Sequence, residues 1–344
     1  MNKYRAAIVG CGRIASDFDS DPKRKDSIAT HAGAYKNNKD IELVAASDID
    51  QKKLKIFGEK WLVSNLYSDF NKMFDEQSID ILSICTWSSS HLEVCKKAVS
   101  AKVKAIFCEK PITESLKDAD EMVSLCKDNG VVLAVNHSRR WDKMHQDIKK
   151  YIDEGKLGEI QTVSAFYTAG IINTGTHLLD ILRYFFGDVA WIRSDFAGKT
   201  SEADPSIDAY LYFKKGFGVA LHGLNVKDYL IFEIDIYGSK GRIRIENSGY
   251  SASIWDVIEH PKFTGYKCLG ERKQFSADGL NNTMVNSVAD LLGCIKSRGI
   301  PRSTGQDGTS ALELICAIHE SGKIKSGEKV LLPLKNREVV INSK

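Results

Sequence analysis

Three short stretches of this chain carry residue types that can do chemistry. "GCGRIA" sets Gly10, Gly12 and Ala15 in a GxGxxA pattern directly after an apolar run. Small residues there let main-chain N–H groups and a following helix N-terminus approach a pyrophosphate. "CEKP" places Glu109, Lys110 and Pro111 behind another apolar run, where Lys110 is a cation able to reach a bound cofactor or substrate. "NTGTHLLD" holds Asn173, His177 and Asp180 at the start of an apolar helix. One turn beyond His177, Asp180 either orients the ring for proton transfer or caps the first turn. Each stretch also has a plain structural reading: a tight turn without a ligand, a solvated loop lysine, and a structural histidine at a helix start.

These residues need a frame. In the first third of the chain, runs rich in Val and Ile ("RAAIVG", "IELVAASD", "IDILSIC", "KAIFCEK", "VVLAVNH") alternate with segments of helical periodicity, the pattern of a doubly wound parallel sheet. The intervening helices are "DQKKLKIFGEKW", "SDFNKMFDEQ", "SHLEVCKKAVSA" and "SLKDADEMVSLCKDNG". The second strand ends at Asp48, whose carboxylate can accept hydrogen bonds from an adenosine ribose. Asp48 stands farther from Gly12 than the usual spacing of about 20 residues, so the sequence between them contains an insertion.

A connecting helix is expected over 145–155, and beyond about residue 158 the pattern becomes strand alternation. In "FEIDIYGSKGRIRIE", Phe232, Ile234 and Ile236 alternate with polar neighbours, and after the "GSKG" turn Ile243 and Ile245 do the same. "DAYLYFKKGFGVALHG" repeats the hairpin logic around Gly216. The fold class expected is α/β plus α+β: a parallel Rossmann sheet over 1–136, then an open, mostly antiparallel sheet over 137–344 with helices at 176–187, 283–297 and 307–321.

Composition narrows the function classes. The 344 residues are 43% hydrophobic and 27% charged with a net charge of +3, the signs interspersed, which gives no reason to expect a nucleic-acid or membrane surface. No apolar run reaches the roughly 18 residues that span a bilayer. The start "MNKYRAAIVG" enters a strand at once, so a cytoplasmic protein is expected. The eight cysteines form no CxxC pair and read as reduced core thiols, with no metal site expected.

The order "GCGRIA", "EKP", "GTHLLD", together with "THAGAY", "ICTWSSSHLEVCKKAVSAKVKAIFCEKP" and "VNHSRRWD", resembles the glucose-fructose oxidoreductase, inositol dehydrogenase and MocA family over essentially the whole chain. The resemblance implies an N-terminal NAD(P)-binding domain and a C-terminal substrate and oligomerisation domain. It implies cofactor contacts from Gly10, Gly12, Arg13, Ile14, Asp48, Thr86, His91, Glu109 and Lys110, and substrate contacts from Lys110, Arg140, Asn173 and His177. The cofactor it implies is NAD, with NADP as the alternative, and the partners it implies are a small-molecule sugar and further copies of the chain in a dimer or tetramer.

Two departures from the family pattern stand out. Residues Asp17 to Thr30 are extra, a loop inserted beside the cofactor phosphates; Lys23, Arg24 and Lys25 either contact an anionic substrate or are solvated and offset by Asp19, Asp21 and Asp26. Many members carry an aspartate where this chain has Asn173, and an amide cannot share a proton at neutral pH. The resemblance then implies that His177 takes the proton of a secondary sugar hydroxyl while Lys110 stabilises the charge left on oxygen, with Asn173 and Arg140 positioning the substrate. Asparagine-containing members include enzymes of nucleotide-linked sugars. Two further classes stay open: NAD-using glycoside cleavage without net redox change, and a non-catalytic sugar or cofactor sensor.

Overall fold

The computed structural model describes residues 3–24, 27–195, 203–323 and 328–341, and its contacts divide into two units. One takes the chain to Trp141 together with Asn282–Leu312 and Glu338–Ile341; the other takes Asp142–Asn281 and Glu313–Arg337. The sequence reading gave everything past 136 to the second domain. Residues 282–312 belong with the first unit.

The first unit is built on strands β1 (Tyr4–Val9), β2 (Ile41–Ser47), β3 (Asn65–Tyr67), β4 (Ile81–Ile84), β5 (Ala105–Cys108) and β6 (Val132–Val135). All pair in parallel, in the order β3-β2-β1-β4-β5-β6. Helices α1 (His31–Asn37), α2 (Gln51–Trp61), α3 (Phe70–Glu76), α4 (His91–Ser100) and α5 (Leu116–Asp128) connect them. Because helices cover a parallel sheet, β4 and β5 are buried at every position, which is why they read as unbroken apolar runs. Strand order reverses between β1 and β4, so their carboxyl ends open the crevice where ligands of such sheets bind.

In the second unit, α6 (Lys143–Asp153), β7 (Ile160–Tyr167), α7 (Thr176–Phe186) and β8 (Val189–Asp195) are followed by β9 (Asp208–Phe213), β10 (Gly218–Gly223), β11 (Phe232–Gly238), β12 (Gly241–Glu246), β13 (Ser251–Glu259), β14 (Lys267–Leu269) and β15 (Lys273–Ser276). After α8 (Thr283–Ser297) and α9 (Gly305–Lys323), β16 (Val330–Leu331) closes a ten-stranded sheet, antiparallel except for the β10–β7 pair. The expected hairpin is present: Ile234, Ile236, Ile243 and Ile245 are fully buried on one face, and on the other Asp235 pairs with Arg242 and Glu233 with Arg244 at 2.5 and 2.7 Å. Alternation thus gives β11 and β12 one apolar and one charged face.

The assignment of α8 to the first unit has a packing cause. Met284, Val288, Leu291 and Leu292 fall at i, i+4, i+7 and i+8, one apolar stripe, and share a core cluster with Ile8, Tyr35 and Trp141. Asn286 Nδ2 donates to the Trp141 carbonyl, and the Trp141 indole donates to Asp290 at 2.9 Å.

Candidate active site

The glycine turn follows β1. Gly10 has φ +93, and a Cβ built on it would stand 2.6 Å from the main-chain carbon of Cys85, so the neighbouring β4 end leaves no room for a side chain. Gly12 differs: a Cβ there would meet no atom within 4 Å. The fold does not itself require glycine at 12, whereas a phosphate approaching the main chain would. Behind the turn, Asp48 Oδ2 accepts the Cys11 amide at 2.6 Å and Oδ1 accepts that of Asp50 at 2.8 Å. The carboxylate is thereby fixed, and each oxygen keeps a second lone pair for a hydroxyl. These residues fit a dinucleotide: Gly12 would give access, the turn amides would meet phosphate, and Asp48 would meet ribose.

The helix expected after the glycine turn is a single turn long, and the loop expected from Asp17 onward begins directly behind it. A single turn forms, with the Ser16 and Asp17 amides donating to the Gly12 and Arg13 carbonyls, and 3₁₀ turns at Asp17–Ser20 and Pro22–Arg24 follow. The Ile14 and Ala15 carbonyls, which in an unbroken helix would accept from residues 18 and 19, accept instead from His31 and Ala32 at 3.2 and 3.0 Å. The insertion therefore loops out of one helix, which resumes as α1. Asp19 closes the loop by accepting from the Ala29 amide at 2.7 Å and the Thr30 hydroxyl at 2.5 Å. Arg13 and Arg24 stand over the Phe18 ring at 4.8 and 5.0 Å. Lys23 is exposed; Lys25 and Asp26 lie outside the described residues.

At the carboxyl ends of β4 and β5, Glu109 sits in a network that the sequence reading missed. His31 Nε2 lies 2.9 Å from Glu109 Oε1, Asn136 Nδ2 donates to the same oxygen at 2.6 Å, and His31 Nδ1 meets Ser83 Oγ, which also bonds the Tyr35 hydroxyl. Burial alone would push the Glu109 carboxyl up; the hydrogen bonds and charge from His31, the Asn136 bond and the Lys110 charge outweigh it and hold the group below its ordinary range. The available signal was a polar residue inside a buried strand or at its end: Ser83 in "IDILSIC" and Asn136 in "VVLAVNH". Lys110, next to Glu109, is half-buried.

His91 and Thr86 frame this end of the sheet. The His91 ring is buried between the main-chain carbonyls of Ile112 and Thr86, at 3.0 and 3.1 Å, and burial lowers its pKa. Both of these partners are main-chain groups, and the ring thereby spaces the loops after β4 and β5. Thr86 Oγ1 accepts from Ser90. Burial, then the Glu109 charge, push the Cys85 and Cys108 thiols up, which fits inert core cysteines. Among the described residues no cluster of metal ligands occurs.

In the second unit, a π turn over Gly170–Gly175 leads into α7. Asn173 is exposed, His177 half-buried and Asp180 buried on that helix start. Arg140 belongs to the first unit and is itself buried: its guanidinium pairs with Asp307 at 3.0 Å and donates to the Arg302 carbonyl. The position read as a substrate contact therefore ties the segment after β6 to the start of α9.

Residues 4–137 match the GFO_IDH_MocA pattern described as an oxidoreductase family with an NAD-binding Rossmann fold, and residues 149–330 match the C-terminal alpha/beta domain of the same family. The chain is 24% identical to a D-apiose dehydrogenase of Paraburkholderia graminis over 94% of this chain and 88% of that protein. It is also 24% identical to a myo-inositol 2-dehydrogenase of Thermotoga maritima over 95% and 98% of the two chains. Among solved structures, the WlbA dehydrogenase of Bordetella pertussis, in complex with NADH and UDP-GlcNAcA, shares the fold with a TM-score of 0.76 at 22% identity, over 97% of this chain and 100% of that one. With both of its parts matched in order along one chain, this protein belongs to the GFO_IDH_MocA family of oxidoreductases with an NAD-binding Rossmann domain.

Proposed function

We propose that this protein is an NAD-dependent dehydrogenase acting on a secondary hydroxyl of a sugar or sugar derivative. The observation that carries the redox half of this reading is the open side of Gly12 above a locked Asp48, a turn with room for a pyrophosphate and an acceptor for ribose hydroxyls. Support for a sugar comes from the relatives, named as dehydrogenases of apiose and inositol. NAD, when bound, supplies the hydride acceptor. His177 accepts the hydroxyl proton, Lys110 stabilises negative charge on that oxygen, and Asn173 holds the substrate. Arg140 we leave out of this set, since its guanidinium is engaged by Asp307.

A cytoplasmic setting belongs to the proposal and fits eight free cysteines. So does self-association through the outer face of the ten-stranded sheet, where Arg242 stacks on Trp255 and Tyr237 at 4.5 and 5.0 Å and the rings remain partly open. Light scattering at micromolar concentration tests it, and a monomer would rule it out.

The decisive experiment is a screen of free, phosphorylated and nucleotide-linked sugars with NAD, followed at 340 nm. Net NADH formation with one of them supports the dehydrogenase. Glycoside cleavage without NADH, or tight sugar binding with neither, would replace it by one of the other two classes.

A further inference from the structure

We propose that Asp204 is a positioning residue for the reaction: through Ile172 and Asn173 it fixes the turn that presents Asn173 and His177. The inference rests on the catalytic reading of His177 given above.

Four consecutive amides open this turn, and one tripeptide, Asp204-Pro205-Ser206, receives all four. Gly170 N–H donates to Ser206 Oγ at 3.1 Å and Ile171 N–H to the Pro205 carbonyl at 3.0 Å. Ile172 and Asn173 donate to Oδ1 and Oδ2 of Asp204 at 2.8 and 2.9 Å. A helix start leaves four amides without intrahelical partners, and an ordinary N-cap side chain satisfies one or two of them. Here Ala169, at the N-cap of the π turn, offers no polar side chain, and the first turn holds no acidic residue. The carboxylate comes instead from another segment, and it brings negative charge to the positive end of the turn.

The backbone on the turn's other side shows why so many bonds are needed. Ala169 and Gly170 both have positive φ, +61 and +84; glycine adopts it freely, but at Ala169 it persists only where surrounding contacts over-determine it. A Cβ on Gly170 would stand 2.0 Å from Asp204 Oδ2. The carboxylate thus fills the space that a side chain at 170 would need. The tripeptide is itself mounted rigidly: the buried Tyr167 hydroxyl, at the end of β7, donates to the Ile207 carbonyl at 2.9 Å and accepts the Ile207 amide at 2.7 Å. Sheet, tripeptide and π turn form one chain of bonds ending at Asn173, four residues before His177. Such single π turns occur often at functional sites.

An amide at 204 breaks this arrangement, because its single oxygen can accept one of the two N–H groups while its NH₂ faces the other. In Asp204→Asn, hydrogen exchange of the 170–173 amides should quicken by about tenfold or more, with exchange elsewhere and NADH affinity unchanged. The His177 signals in spectra of ¹⁵N-histidine-labelled protein should shift, together with the pH midpoint of their titration. On the sugar that the wild type oxidises fastest, kcat should fall by about tenfold or more, and KM by much less. Ser206→Ala, which removes only the bond at the far end, should give a smaller change in the same direction and serves if Asp204→Asn does not fold. Unchanged exchange would overturn the clasp; quickened exchange with unmoved His177 signals and kcat would overturn its positioning role. His177→Ala keeps the two readings apart, since wild-type turnover there defeats the catalytic reading and leaves the exchange result intact.

Discussion

His31 Nε2 and Glu109 Oε1 lie 2.9 Å apart in the interior of the first unit, and no sequence pattern links residues 78 positions apart. Glu109 precedes Lys110, so the pair anchors the main chain of a proposed catalytic residue. His31→Ala would leave a buried carboxylate without its main partner, and stability should fall by roughly 3–5 kcal/mol in urea unfolding. A loss below about 1 kcal/mol would show that the pair does not hold the fold.

Acid titration gives this pair a second signature. With its pKa depressed in the folded state, Glu109 contributes stability that is present above the unfolded carboxyl value and lost as pH falls through the folded one. Without His31, burial becomes the dominant influence and the folded pKa rises, so the same group then favours folding at low pH. Between about pH 3 and 6 the stability of wild type should climb more steeply with pH than that of His31→Ala. Parallel curves would refute the assignment.

Gly10 and Gly12 should separate folding from binding. Gly10→Ala meets both a positive φ and the Cys85 main chain, and about 3 kcal/mol or more of stability should go. Gly12→Ala should change stability by less than about 0.5 kcal/mol and weaken NADH by about tenfold or more. Calorimetry and NADH fluorescence titration check the two halves. Unweakened NADH binding in Gly12→Ala would remove the argument from the open side of the turn.

Asp48 should disfavour NADPH. Its carboxylate, fixed by the Cys11 and Asp50 amides, would repel a 2′-phosphate where it would accept ribose hydroxyls. NADH should bind about tenfold more tightly than NADPH. Equal dissociation constants, or an advantage for NADPH, would mean that Lys52 or Lys53 decides the selectivity.

His177→Ala should keep NAD affinity and lower turnover by about 10²-fold or more. Lys110→Ala should lower turnover strongly with some loss of binding. The double variant should be little worse than the poorer single one, because the proposed mechanism has both groups act on one oxygen in one transition state. Steady-state rates on all three proteins decide it, and full additivity would give the two residues separate roles.

Much of the frame was legible in the sequence because it rests on local periodicity. The buried runs marked five of the six parallel strands, and the isoleucine alternation around "GSKG" marked the β11–β12 hairpin. Asn65–Tyr67 was missed, since three half-buried residues carry no period. The residues missed around the site are of another kind. Asn136 acts on Glu109 from 27 positions away, Ser83 on His31 from 52, and Asp204 on Asn173 from 31, and only the folded chain brings such partners together. The ion pair of Arg140 with Asp307, 167 positions away, was hidden for the same reason.

Because the His31 and Ala32 amides take up the Ile14 and Ala15 carbonyls, and Asp19 fastens Ala29 and Thr30 beside them, the added segment leaves and re-enters at a single point. A segment that returns to its point of departure behaves as a cassette. Loop closure entropy grows only with the logarithm of length, each doubling costing about 0.6 kcal/mol. The chain can therefore carry new surface beside its glycine turn while the helix on either side keeps its register, and grafts or deletions confined between Asp19 and Ala29 have a boundary already drawn for them.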